Sequence, residues 1–170
     1  RTKDAEFADL HLQIKPGTDT YLLGAMLKLL SLADGFDSTF IAEHTEGWDD
    51  VAEHIADIPA EEWIAHTGLA QADVERAVQM IIDANAMTMR TELGIEMGRN
   101  STLNSYLGNL LFLATGHFGR PGTHGIHTWL QPLIGNSKGA RSLVTNMEEI
   151  MGVYPSNRFA QEILSDNPDR

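Results

Sequence analysis

Two hydrophobic patterns follow each other at the start of the chain. Residues 9–15 alternate apolar and polar side chains, and this period of two predicts a half-buried β-strand. Pro16 and Gly17 then end the strand, because this pair is typical of turns. Apolar residues at helical spacing follow, which predicts a helix that is capped by Thr18 or Asp19 and runs to about residue 32.

The same alternation of patterns continues further along the chain. Residues 34–67 contain short helical stretches with acidic faces. Residues 71–85 have one apolar face, which predicts a helix, and residues 86–91 predict a buried strand. A strongly apolar helix, capped by Ser101 or Thr102, is then expected to extend to Gly116.

Strands that alternate with helices predict an α/β fold. We expect a Rossmann-like, doubly wound parallel sheet with helices on both faces, incomplete at its N-terminal side. The tail after Gly116 is rich in glycine and predicts loops, with a helix only at about residues 157–164. The predicted domain therefore covers residues 1–140, and residues 141–170 form a loop and helix extension towards the next domain.

Composition agrees with a globular domain. The chain has 170 residues, 42% of them apolar and 21% charged, and it has no apolar window long enough to cross a membrane. Because it begins at Arg1 without a signal sequence, we expect both ends to continue in a longer protein. The absence of cysteine excludes disulfides and iron–sulfur clusters within the chain. Localisation stays open, with the cytoplasm favoured over the periplasm.

The charge is distributed unevenly. The net charge is −12; residues 1–85 hold 17 Asp or Glu against 5 Lys or Arg, whereas residues 86–170 hold 7 of each kind. Nucleic acids and anionic membranes need clustered basic side chains, so neither is expected as a partner. An anionic ligand would favour the second half or a helix N-terminus.

One candidate binding segment lies where the first strand meets the first helix. Residues 15–19 combine free backbone N–H groups with the hydroxyl of Thr18 and the carboxylate of Asp19. The N–H groups of a helix N-terminus suit a phosphate, and Asp19 could accept hydrogen bonds from guanine. The alternative is a plain helix cap.

Other candidate chemistry is weaker. Among seven histidines only His124 and His127 form a close pair, and we interpret them as polar loop residues without assigning a metal site. The glycine motifs of nicotinamide-binding and P-loop proteins are absent. Residues 116–122 indicate a helix C-cap and turn, with Arg120 as an alternative partner for an anion. No catalytic residue is assigned.

Several motifs, taken in order, resemble molybdopterin oxidoreductases, which include formate dehydrogenases and nitrate and dimethyl sulfoxide reductases. The motifs are ADxHLQIKPGTD at 8–19, FIAEHTEGW at 40–48, TGLxxxDV at 67–74, NLLFLATGHFGRPG at 109–122 and NSKGAR at 136–141. Each motif alone is weak, but their order and spacing are specific. The resemblance implies that residues 1–140 are part of a domain that binds one half of a bis(molybdopterin guanine dinucleotide).

The resemblance also implies roles for particular residues. Gly17, Thr18 and Asp19 would face the guanosine end of the cofactor, and residues 92–98 would bring Leu93, Gly94 and Met97 near it. The full-length protein would be a molybdenum or tungsten oxidoreductase or dehydrogenase, whereas this fragment alone would be inactive. The metal ligand and any [4Fe–4S] cluster would lie outside the chain. Partners would be the other domains of the parent chain and an electron-transfer subunit.

The sequence departs from the family pattern at two places. Met97 stands where a Gln is frequent in the family, which would remove a polar contact. Residues 132–139 differ from the usual segment over the pterin; its Gln and a commonly catalytic Arg of formate dehydrogenase-like members have no counterpart, so a formate reaction is not supported. One alternative is a non-catalytic α/β interaction module that has lost the cofactor. A second is an unrelated doubly wound nucleotide-binding domain, which the missing glycine motifs disfavour.

Overall fold

The computed structural model describes residues 2–123 and residue 164. The chain divides into two compact units, and every element described below belongs to the first, Arg1–Gly125. Eight α-helices occur in the described part of this unit: α1 Asp4–Phe7, α2 Asp19–Leu32, α3 Ser38–His44, α4 Trp48–Ala56, α5 Ala60–Thr67, α6 Gln71–Asp83, α7 Leu93–Glu96 and α8 Ser101–Ala114.

The helices predicted from apolar periodicity are present. Helices α2, α6 and α8 match the predicted ones to within two residues at each end, and α3, α4 and α5 are the short helices expected between residues 34 and 67. Helices α1 and α7 were not predicted. Each has only four residues, which is too short for a period of 3.6 to appear in the sequence.

Helix α2 lies at the centre of the core. Its residues Ala25, Leu27 and Leu30 are completely buried, and α2 packs against α4, α5, α6 and α8. Neighbouring helices contribute buried residues such as Ile64, Val74 and Leu111 to the same cluster. Full burial of one such Leu or Val stabilises the fold by about 1.5–3 kcal/mol.

Helices α2 and α8 lie side by side and run in the same direction. Near their starts, the Thr20 hydroxyl donates to Asn104 at 2.5 Å. Near their ends, the backbone N–H of Asp37, which follows α2, donates to the carbonyl of Ala114 at 2.8 Å. Because contacts join start to start and end to end, both helix N-termini are at the same end of this unit.

The predicted parallel sheet is wrong. Among residues 2–123 the structure contains no β-strand, only an isolated bridge at Phe118. The segments predicted as strands, residues 9–15 and 86–91, form neither helix nor strand in the described structure, and residues 9, 10 and 86 are bends. The described fold is helical, not Rossmann-like.

These two segments nevertheless show the alternation that the sequence predicted. Leu10, Leu12 and Ile14 are half-buried between exposed neighbours, and Met87 and Met89 repeat the pattern. Both segments line an apolar groove of about 330 Å³ beside α2 and α6. Helices cover one side of each segment, and such cover alone produces a period of two. The alternation of apolar and polar residues therefore indicates that one side of each segment is buried. It does not indicate whether a strand pairs with the segment.

Several sequence predictions concern residues outside the described part. These are the His124 and His127 pair, the motif at 136–141, the departing segment at 132–139, the domain boundary after residue 140 and the helix at about 157–164. In the described part, no helix has the length and apolar character needed to span a bilayer.

Candidate functional site

The loop before α2 is held at both of its ends. The backbone N–H of Lys15 donates to the carbonyl of Thr67 at 3.0 Å, which anchors the loop to the end of α5. The Thr18 hydroxyl donates back to the Lys15 carbonyl at 2.6 Å. Gly17, between them, has a φ of +78° that favours glycine, and there is open space around its Cα.

Helix α2 begins without a side-chain cap. Thr18 occupies the N-cap position but makes no capping hydrogen bond, because its hydroxyl is directed to Lys15. The cap predicted from Thr18 or Asp19 is therefore absent, and side chains leave the first-turn N–H groups of α2 unsatisfied in the described structure. Asp19, half-buried, is the first residue of the helix.

Helix α8 also begins without a side-chain cap, although the backbone N–H of Ser101 in its first turn donates to the carbonyl of Gly98 at 3.3 Å. Its N-cap is Asn100 rather than the predicted Ser101 or Thr102, and the Asn100 side chain makes no capping hydrogen bond. Each helix of this length carries a partial positive charge of about half a unit at its N-terminus. Since α2 and α8 are parallel, these two positive ends add at one end of the unit.

Helix α7 brings the second group of predicted residues to this end. Leu93 is 68% exposed and Met97 is 76% exposed, and Gly94 between them is exposed as well. The side-chain amide of Asn104 donates to the carbonyl of Ile95 in α7 at 3.2 Å, and the same side chain accepts from Thr20. The structure thus connects the segment of Gly17, Thr18 and Asp19 with that of Leu93, Gly94 and Met97.

The two residues that make this connection are absent from the sequence-based predictions. Thr20 and Asn104 are both buried, with 7% and 4% of their surface exposed. A signal was present, because each is a polar residue in register with an apolar helix face. Thr20 precedes Leu23 by three positions, and Asn104 precedes Leu107 by three.

The opposite end of α8 has a different character. The backbone N–H groups of Gly116 and His117 donate to the carbonyls of Leu113 and Phe112 at 3.0 and 2.8 Å, which is a Schellman C-cap as the sequence indicated. Arg120 Nη2 lies 3.5 Å from His117 Nδ1. Burial, and then the charge of Arg120, lower the pKa of His117. Both effects favour the neutral form of His117.

No set of metal ligands accompanies these features. In residues 2–123, no three or more His, Asp or Glu side chains come together in a way that could hold a metal ion. The described site offers backbone N–H groups, the carboxylate of Asp19 and the exposed apolar side chains of Leu93 and Met97. The exposed carboxylates of Glu92 and Glu96 lie in the same segment as α7, so an anionic organic ligand would be attracted by the backbone N–H groups alone.

No protein-family model matches the chain. The probable oxidoreductase YyaE of Bacillus subtilis is 32% identical over 118 residues, which cover 69% of this chain and 18% of that protein. The assimilatory nitrate reductase catalytic subunit of Bacillus subtilis is 27% identical over 154 residues, which cover 89% of this chain and 21% of the reductase. The chain thus spans about a fifth of the length of these curated relatives.

A solved structure has a similar fold. The acetylene hydratase of Pelobacter acetylenicus superimposes with a TM-score of 0.68, at 23% identity, over 72% of this chain and 17% of the hydratase. At this identity the likeness concerns the fold alone. A segment of that larger protein therefore has the helical arrangement described above.

Proposed function

Because this chain belongs to the molybdopterin oxidoreductase superfamily, we propose that it supplies part of the site for the guanosine end of a molybdopterin guanine dinucleotide. The family predicted from the sequence motifs is confirmed. The parent protein would be a molybdenum or tungsten oxidoreductase that holds its metal ligand outside these residues. Such an enzyme would use the other domains of its chain, and an electron-transfer subunit, as partners.

The observation that carries this proposal is the pair of uncapped helix N-termini. Helices α2 and α8 are parallel, and neither N-cap side chain satisfies the first-turn N–H groups. A diphosphate can accept hydrogen bonds from such groups and is attracted by the positive ends of the helix dipoles. The side chains of the first half cannot attract a diphosphate, because they carry an excess of negative charge.

The loop before α2 fits a nucleotide as well. Apart from the neighbouring residues, no atom of the described structure lies within 4 Å of the place that a Cβ of residue 17 would take, so a ligand can approach the backbone of Gly17 closely. A side chain at this position would prevent that approach. Asp19 is the first residue of α2, where a carboxylate can accept two hydrogen bonds from the N1–H and N2–H groups of guanine. The exposed apolar side chains of Leu93 and Met97 offer a surface for a flat ring.

The residues of this chain would bind and orient the cofactor. When bound, the cofactor and its metal supply two-electron or oxygen-atom chemistry. The helix N-termini would fix the diphosphate, and Asp19 would distinguish guanine from adenine, since adenine lacks the paired N–H donors. In this proposal no residue of the described part takes or gives a proton in the reaction.

The first experiment measures cofactor content in the full-length protein after expression in a host that makes the cofactor. Molybdenum and tungsten are determined by elemental analysis, and GMP is determined after acid hydrolysis. Near-stoichiometric metal with about two GMP supports a bis(guanine dinucleotide) enzyme. Neither metal nor GMP would contradict the proposal and favour a non-catalytic module that has lost the cofactor.

A variant then tests the guanosine contact. Asp19→Asn is expected to weaken cofactor retention by about 1–3 kcal/mol, because the amide accepts at only one of its two terminal atoms. The matched control is Asp73→Asn, which makes the same charge change in the first turn of α6. Equal GMP retention in the two variants would exclude Asp19 from the site.

A further inference from the structure

Two buried polar side chains join α2 and α8 beside the apolar core. The Thr20 hydroxyl donates to Asn104 Oδ1 at 2.5 Å, and Asn104 Nδ2 donates to the Ile95 carbonyl at 3.2 Å. Packing alone does not need these groups, because apolar side chains of similar shape can fill such positions at little cost in stability. A buried polar connection of this kind instead fixes one geometry.

The orientation of the Asn104 amide is determined by its surroundings. The Ile95 carbonyl can only accept, so the NH₂ group of Asn104 must face it. The amide oxygen then faces Thr20, whose hydroxyl is left to donate. Reversing the amide would place two oxygens against each other, so the Thr20–Asn104–Ile95 connection has one arrangement.

The connection runs between the two segments that we place at the cofactor. Thr20 directly follows Asp19, and Ile95 lies between Gly94 and Met97. Helix α7 has four residues, none of them buried, so its own packing holds it only weakly. Ile95 is half-buried and packs against the core cluster, and the hydrogen bond from Asn104 attaches α7 to α8.

We infer that Thr20 and Asn104 are positioning residues, which hold α7 at a fixed place relative to the start of α2 so that both segments meet the same cofactor. This inference rests on the proposed function. Neither residue need touch the cofactor. Loss of the connection would leave the core packed but would let α7 move away from the α2 N-terminus.

The test uses the full-length protein in two states. In the cofactor-free protein, Thr20→Val should speed amide hydrogen exchange at residues 93–97 by about tenfold, although Thr20 itself lies in α2. In the loaded protein, the same variant should release cofactor about tenfold faster. Thr20→Ser keeps the hydroxyl, so both rates should stay at their wild-type values.

A matched control separates positioning from a general loss of stability. Thr115→Val removes another buried hydroxyl, which donates to the Leu111 carbonyl at 2.6 Å at the far end of α8. This control should change neither the exchange of residues 93–97 nor the release of cofactor. If it speeds both as much as Thr20→Val does, the inference is overturned, since any loss of a buried hydroxyl would then suffice.

The remaining outcomes distinguish this inference from the proposed function. Unchanged exchange at residues 93–97 in Thr20→Val would overturn the connection without reference to any cofactor. Faster exchange with unchanged cofactor release would overturn positioning of the cofactor. Cofactor release from Asp19→Asn, measured in the same experiment, then tests the proposed site. If Asp19→Asn loses cofactor, the proposed function stands without the positioning role of Thr20.

Discussion

The carboxyl group of Asp37 lies directly against the Cα of Gly116. One oxygen of Asp37 accepts from the backbone N–H of Phe40 at 2.9 Å and caps α3, while the other faces Gly116. A β-carbon at residue 116 would overlap with that oxygen and would lie 3.0 Å from both Cβ and Cγ of Asp37. The end of α8 and the start of α3 therefore require glycine at this position.

Gly116→Ala should consequently destabilise the end of α8 by about 2–4 kcal/mol. A φ of +70° is unfavourable for alanine, and the overlap with Asp37 adds to that cost. Amide exchange of a peptide from α8 in the full-length protein measures the change. Gly119→Ala is the control, because residue 119 has a φ of +73° but open space; only the backbone cost of about 1–2 kcal/mol is expected there.

Gly24→Ala should destabilise α2 by about 1–3 kcal/mol, because a β-carbon there would overlap with the ring of Trp63 from α5. Gly108→Ala offers a matched comparison within α8, since the nearest atom is the flexible end of Met89 at 3.2 Å. Higher helix propensity should then make Gly108→Ala neutral or stabilising by up to about 1 kcal/mol. Exchange rates of α2 and α8 peptides test both; equal destabilisation would contradict the close packing of α2 on α5.

His117 should make the end of α8 sensitive to acid. Burial, followed by the nearby Arg120 charge, lowers the pKa of His117 below 6.5, so the unfolded chain takes up a proton more readily than the folded one. The neutral ring contributes stability above pH 6.5, and this contribution is lost as the pH falls through the lowered pKa.

The measurement for His117 compares the wild type with His117→Gln between about pH 7.5 and about pH 5. The stability of the wild type relative to the variant should decrease as the pH falls. A constant difference over this range would show that His117 has the same pKa in the folded and unfolded chain. Comparison at each pH removes the contribution of the many surface carboxylates, which both proteins share.

Met97→Gln should leave the stability of the fold within about 0.5 kcal/mol of the wild type, because Met97 is largely exposed. Met26→Gln is the contrasting variant; this side chain is buried in α2, and the change should cost several times more. Thermal unfolding of the full-length protein measures both. A large loss with Met97→Gln would mean that α7 packs more tightly than the structure shows.

The sequence predicted the longer helices because their apolar faces repeat over several turns. Residues 71–83 are an example, with Val74 and Val78 buried on one face of α6. Nothing comparable identifies α7, which has only four residues and no buried side chain. The predicted sheet failed for a related reason, since the alternation in residues 9–15 reports what covers one side of the segment and not what pairs with its edges.

The candidate site was partly predictable as well. Turn residues and a helix start pointed to Gly17, Thr18 and Asp19, and the structure places all three at the uncapped end of α2. Family resemblance was needed to include Leu93, Gly94 and Met97, and whether either group touches a cofactor stays a prediction. The parallel packing of α2 and α8 could not be foreseen, because no local pattern records the direction of a neighbouring helix.

The parallel packing of α2 and α8 has a consequence for biogenesis. Thr20 and Asn104, which join the starts of the two helices, are separated by 84 positions, so this contact closes a long loop. During synthesis the residues of α2 leave the ribosome well before those of α8. The end of the unit where the two N-termini meet can therefore assemble only after Asn104 has emerged. A ligand that needs both helix N-termini can therefore bind at that end only after most of this unit has been synthesised.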